Sequence, residues 1–208
     1  MIWVTWRQQR RLVLAGAAVV AGVALSALVE VHRNVNDGGS TTRAIVSYLP
    51  AALGVFWGAP LLARPLQDGT AELIWAQRLR WLSGAVAVVA AVTLATAQGV
   101  RWILPGVLEG FSPGYRHDVV SVAALGYAVF AVALGVFTGA VLGRVEPAMA
   151  VTLLGYAAVR FGGGVVRERV VPEQRWESLG PVELGCYAGV AVLLLVATFV
   201  VVARRGMR

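Results

Sequence analysis

Six long apolar stretches alternate with short polar ones along this chain, at about residues 12–29, 44–63, 82–104, 119–142, 147–166 and 183–203. Each is near the roughly 20 residues that carry an α-helix across about 30 Å of hydrocarbon. Lipid offers the backbone no hydrogen-bond partner, so such stretches are helices by default. The pattern predicts an all-α, polytopic membrane protein, with residues 1–208 forming a single transmembrane domain. The first stretch follows WRQQRR and has the outline of a signal peptide, but five more spans follow, so it reads as an uncleaved first helix.

Departures from the pattern carry the local expectations. Pro50 lies mid-span in the second stretch and predicts a kink there. Arg160 interrupts the fifth, and Gly162, Gly163 and Gly164 follow it. Each glycine costs a helix roughly 1 kcal/mol relative to Ala, so the fifth helix is expected to break around them. Glu183 opens the sixth stretch. Charges at membrane depth face protein or a water-filled cavity, and Arg160 and Glu183 lie at similar depth on successive spans. They are expected to pair, as a brace for the helix hairpin or as an outer gate.

Two polar segments are richer in apolar side chains than a plain loop needs. In MIWVTWRQQRR, Trp3 and Trp6 suit headgroup level while Arg7, Arg10 and Arg11 point to water. This predicts either an interfacial anchor or an amphipathic helix lying along the inner surface. Residues 64–81 follow the second span. Pro65 should stop that helix by removing a donor. Gly69 allows a sharp change of direction. Asp68 or Thr70 can cap a short new helix with Glu72 in its first turn. Leu73, Ile74 and Trp75 give that helix an apolar patch, to rest on the membrane or on a partner.

Composition agrees and excludes. The chain is 58% hydrophobic and 14% charged, against about 45–50% and about 25% for soluble domains. All 18 basic residues are Arg. Without Lys there is no P-loop lysine for nucleotide phosphates and no lysine base. Single Cys186 gives neither an internal disulfide nor a cysteine metal site. HExxH is absent, and His32 and His117 both fall in loops, so metalloprotease and bis-His haem readings lack their parts. With the N-terminus inside, ten Arg and three acids lie on the inner side, which carries the whole net charge of +7. This suits anionic headgroups. The segments between the spans are too short to fold as a soluble domain that would present the charge to nucleic acid.

Two motifs add a resemblance. The opening MIWVTWRQQR, an aromatic pair before Arg-Gln, and GAPLLAR…GT..L.WAQ after the second span are similar to permeases of the type-2 ATP-binding-cassette (ABC) family, in particular the small six-span exporters frequent in high-GC actinobacteria. The resemblance implies six helices, an N-terminal interfacial helix and a short cytoplasmic coupling helix. It places Asp68, Gly69, Thr70, Glu72, Leu73, Trp75 and Gln77 on the ATPase. Where the family commonly has Glu, this chain has Pro65 and Gln67, so only Asp68 keeps the acidity. The implied protein is the membrane subunit of an exporter in the bacterial plasma membrane, with both termini cytoplasmic. It would bind no cofactor itself. ATP and Mg would be bound by two copies of a separate ATPase subunit. A second permease, identical or homologous, would complete the pathway for a small hydrophobic, peptide or drug-like substrate. The alternative is a non-transport membrane anchor or assembly subunit of another complex.

Overall fold

The computed structural model describes residues 22, 50–69, 121–172 and 176–205. All regular structure among them is helical. Residues 50–67 form α1, whose middle, Gly54–Gly58, is a π-helical turn and whose last part, Ala59–Gln67, is α-helical. α2 is Ala123–Leu142, α3 is Val145–Val170 and α4 is Trp176–Arg205. Among the described residues, three helices are long and apolar enough to cross a membrane: α2, α3 over Val145–Arg167, and α4 over Ser178–Arg204. They answer to the fourth, fifth and sixth predicted spans, and α1 covers the described part of the second. The first and third spans, the N-terminal segment and residues 70–81 lie outside the described residues.

α2 is the centre. Of its membrane-length window 67% is buried, against 11% for α3 and for α4. α2 packs on α1, α3 and α4 alike, whereas α3 and α4 make no extended contact with each other. Sequence explains the central place, because α2 carries Ala or Gly on every face. Toward α1 it offers Ala131, Gly135 and Gly139, which meet Gly54, Gly58, Ala59 and Ala63. A Cβ added at Gly54, Gly135 or Gly139 would overlap a backbone carbonyl of the other helix. Two small-xxx-small faces therefore meet backbone to backbone, the usual device for close packing in lipid. Toward α4, Gly126 admits Leu184, whose Cα would stand 3.1 Å from a Cβ there. Toward α3, the Thr138 and Thr152 hydroxyls meet at 2.7 Å, and each also reaches the Ala148 carbonyl, at 3.3 and 2.6 Å.

The α2–α3 turn is tight. Gly143 takes a left-handed φ of 62°, and its amide closes α2 on the Gly139 carbonyl at 3.0 Å, as a C-terminal glycine commonly does. Arg144 is extended and α3 begins at once, with Glu146 in its first turn. Pro147 falls within that turn, where helix amides have no intrahelical acceptor to lose.

Three expectations are corrected. The fifth helix does not break at Gly162–Gly164: α3 is α-helical without interruption to Val170. A break would leave backbone groups bare in lipid, each costing more than the glycine propensity term. The second-span helix does not stop at Pro65 but runs through it to Gln67. Pro65 removes a single donor close to the helix end, and the ladder resumes with the Asp68 amide on the Arg64 carbonyl at 2.9 Å. Asp68 is therefore the C-cap of α1; the alternative cap, Thr70, lies outside the described residues.

The distortion in α1 falls ahead of Pro60. Pro60 has no N–H for the Phe56 carbonyl, and its ring would crowd that oxygen in a regular α-turn. The Ala59 amide reaches back to the Gly54 carbonyl instead, so the turn widens by one residue. The kink expected at Pro50 would involve residues 46–49, outside the described residues.

Candidate functional site

Two polar places stand out in this apolar assembly, one at each end. At the end marked by Gly143, α1 finishes in an exposed corner. Gln67, Asp68 and Gly69 are all exposed. Gly69 has φ 68°, the left-handed backbone that the expected change of direction requires. The Gln67 side chain turns back, and its Oε1 accepts the Val145 N–H at 3.0 Å. Val145 is the first residue of α3, so its amide has no intrahelical acceptor. Arg144 supplies no side-chain cap. The tip of α1 thus caps α3 from a neighbouring helix. Of the seven residues assigned to a coupling helix, Asp68 and Gly69 sit at this corner, while Thr70, Glu72, Leu73, Trp75 and Gln77 lie outside the described residues.

At the opposite end, five side chains from three helices converge. Tyr127 comes from α2, Arg160 and Arg167 from α3, and Glu183 and Tyr187 from α4. Glu183 sits two turns into α4, since that helix starts before the apolar stretch does. Its Oε1 lies 3.5 Å from Arg167 Nη1, and its Oε2 accepts the Tyr127 O–H. The Arg160 guanidinium lies over the Tyr127 ring, 4.6 Å from its centroid. Tyr187 meets Tyr127 edge-on at 4.7 Å, and Phe130 lies 5.6 Å from Tyr187. The Arg167 and Glu183 side chains are 8% and 20% exposed. A carboxylate so enclosed is tolerable only with a charged partner and hydrogen bonds, and here it has both. Arg160 and Glu183, singled out from the sequence, both belong to this cluster.

Glycines make room for it. The Tyr187 hydroxyl would stand 2.9 Å from a Cβ at Gly163. The middle glycine of the triplet is therefore a seat for an α4 side chain within an intact helix.

Chemically, the cluster binds helices together. Among the described residues no three His, Cys, Asp or Glu side chains group as metal ligands do. Because α3 and α4 otherwise scarcely meet, Glu183 bridging Arg167 and Tyr127 ties the two outer helices to each other and to the centre at one end only.

Sequence reasoning missed several residues here. Arg167 falls one residue beyond the fifth apolar stretch, yet Arg160 and Arg167 are seven apart, two turns along one helix face. Tyr127 lies inside an apolar run and gives no signal of its own in the sequence. Gln67 registered only as a departure from an acidic position. The facing pairs Gly54/Gly58 and Gly135/Gly139 each have the GxxxG spacing, a readable sign of a close helix contact.

No curated protein and no solved structure is detectably similar to this chain. A family model described as ABC-2 membrane transporter related matches residues 15–167. That match takes in α1, α2 and most of α3, and agrees with apolar helices of membrane-crossing length. The chain belongs to the ABC-2 membrane transporter related family, as one of its membrane-embedded, permease-type members.

Proposed function

We propose that this chain is the permease subunit of an ABC exporter, driven by a separate ATPase that docks on the segment following α1. One observation carries the reading: α1 ends in an exposed corner whose tip is bonded directly to the start of α3. A push on Asp68, at the end of α1, would reach α2 through the glycine seam and α3 through Gln67. ATP enters the mechanism only in the partner, through contacts that differ between two states of this subunit. The Gly143 end is then cytoplasmic, both termini are inside, and the Tyr127–Arg167–Glu183 cluster lies toward the outer leaflet.

There the cluster serves as an outer gate or as its brace. Opening a path between α3 and α4 requires the Glu183 bridge to open, while the Thr138–Thr152 contact keeps α2 and α3 together. A second permease, identical or homologous, completes the pathway. The small, mostly apolar interior suits a hydrophobic, peptide or drug-like substrate. Catalysis stays in the ATPase.

The test is copurification of an ATPase with the tagged chain in mild detergent, and stimulation of its activity. Gly69→Pro should abolish both while leaving membrane insertion intact, because proline fixes φ near −65° where Gly69 has 68°. Leu73→Asp should do the same. An ATPase that binds both variants as it binds the parent would refute the docking assignment.

A further inference from the structure

We propose that the π-helical turn Gly54–Gly58 is a hinge and Gln67 its latch, so that Ala59–Gln67 is a short arm that pivots on α2 and α3 when residue 68 is pushed. The purpose of this motion rests on the exporter reading above; the motion itself does not.

Four observations converge. First, the wide turn is built into the chain by Pro60, which cannot donate to the Phe56 carbonyl. π-helical turns recur at functional sites, and a wide turn that moves along a helix shifts the residues it passes by one register, about 1.5 Å and about 100°.

Second, one line of contact under the arm is made of small residues. Gly58, Ala59 and Ala63 lie on Val132, Gly135 and Gly139 of α2, and Ala59 and Ala63 pack with Ala148 of α3. Along this line the ridges that normally fix helix register are shallow, and the larger side chains, Leu61 and Leu62 toward α2 and Val145 and Met149 of α3, pack beside it.

Third, the arm is stiff where it must transmit force. Beyond the turn it is regular α-helix to Gln67, with Leu61 and Leu62 buried against α2. Pro65 adds a fixed φ near its end.

Fourth, the arm's tip carries a reversible tie. The bond from the Val145 N–H to Gln67 Oε1 is exposed. Water at this corner satisfies both groups when the bond opens. Closed, it fixes the arm's resting position against α3. A leucine at position 67 would remove the acceptor while keeping the bulk. A glutamate would keep the acceptor and place its charge at a helix N-terminus, where anions are favoured.

The test measures arm position in the isolated chain. Spin labels are placed at Asp68→Cys and Arg204→Cys, both exposed, on a Cys186→Ala background in lipid nanodiscs diluted with unlabelled chain. Pulsed dipolar spectroscopy then gives the distance distribution. With Gln67 present the distribution should be narrow. Gln67→Leu should widen it by about 1.5 Å, the rise of the one added register. Adding Pro60→Ala restores the missing donor and relieves the crowding, so the double variant should be narrow again. Gln67→Glu should match the parent. A narrow Gln67→Leu distribution, or one equally broad with and without Pro60→Ala, overturns the proposal. Should the Pro60→Ala chain fail to reconstitute, leucine against glutamate at position 67 decides: equal widths refute the latch. No ATPase is present, so failure here is separate from failure of the docking assignment.

Discussion

Gly135→Ala adds one methyl group, and the glycine seam makes its effect calculable. A Cβ at Gly135 would stand 2.8 Å from the Ala59 nitrogen and 3.0 Å from the Gly58 carbonyl carbon, and closer still to the Gly54 oxygen. Optimal carbon separations are about 3.5–4.0 Å. All three neighbours are backbone, so no side chain can swing aside and the helices must separate by roughly 1 Å. A gap of that size forfeits about a quarter to a half of each dispersion contact, and the packing of Leu53, Leu61 and Leu62 against Val132 and Val136 would bear it. Overpacking of this kind costs about 1–3 kcal/mol, and the backbone setting puts this case near the top, at about 2–3 kcal/mol. The same substitution at Gly189 of α4, which has nothing within 4 Å, should be neutral or stabilising by up to about 1 kcal/mol. Unfolding by dodecyl sulfate in mixed micelles, followed by helical circular dichroism, compares the two. Gly135→Ala and Gly189→Ala within about 0.5 kcal/mol of each other, the usual spread of surface substitutions, would show that α1 and α2 are not in backbone contact.

Other outcomes are equally definite. Arg167→Ala and Glu183→Ala should each lower stability by about 1–3 kcal/mol, and the double variant should be no worse than the more damaging single one; additive losses would dissolve the pair. Tyr127→Phe removes only the hydroxyl that Glu183 accepts and should cost about 1 kcal/mol, and adding it to Glu183→Ala should cost almost nothing more. Thr152→Val breaks the bond to Thr138 and should cost about 0.6 kcal/mol, the average for such bonds between membrane helices, in the same unfolding assay. Membrane-impermeant thiol labelling on a Cys186→Ala background should reach a cysteine placed at Gly39 from outside but not one at Gln67, and the reverse pattern would invert the topology.

What the sequence made legible follows the scale of each signal. A membrane span is announced by some twenty residues together, so α2, α3 and α4 fall where the apolar runs do. Single residues mislead because their meaning depends on what surrounds them. Three adjacent glycines would end many soluble helices, yet in α3 the alternative to a helix is bare backbone in lipid. Pro65 looked like a stop and is only one missing donor in a last turn. The cluster was half visible: Arg160 and Glu183 stood out as charges in apolar runs, while Tyr127 and Arg167 acquire their roles through a contact between helices that no single segment encodes. The glycine seam was written in two GxxxG spacings, but small residues fill so much of α2 that only the partner helix shows which of them matter.

The Gly143–Arg144 turn has a consequence for how the subunit can deform. Only Gly143 and Arg144 separate the two helices, and the Gly143 amide is already bonded to the Gly139 carbonyl, so lengthening the connection means unwinding α2 or α3. With that connection there is no slack for α3 to slide by one turn, about 5.4 Å, along α2. The two helices must travel as a single hairpin, so any large rearrangement divides the molecule elsewhere, between this hairpin and α1 on one side or α4 on the other. A few residues inserted beside Gly143 would hand the sliding freedom back and let the two helices respond to a push out of step.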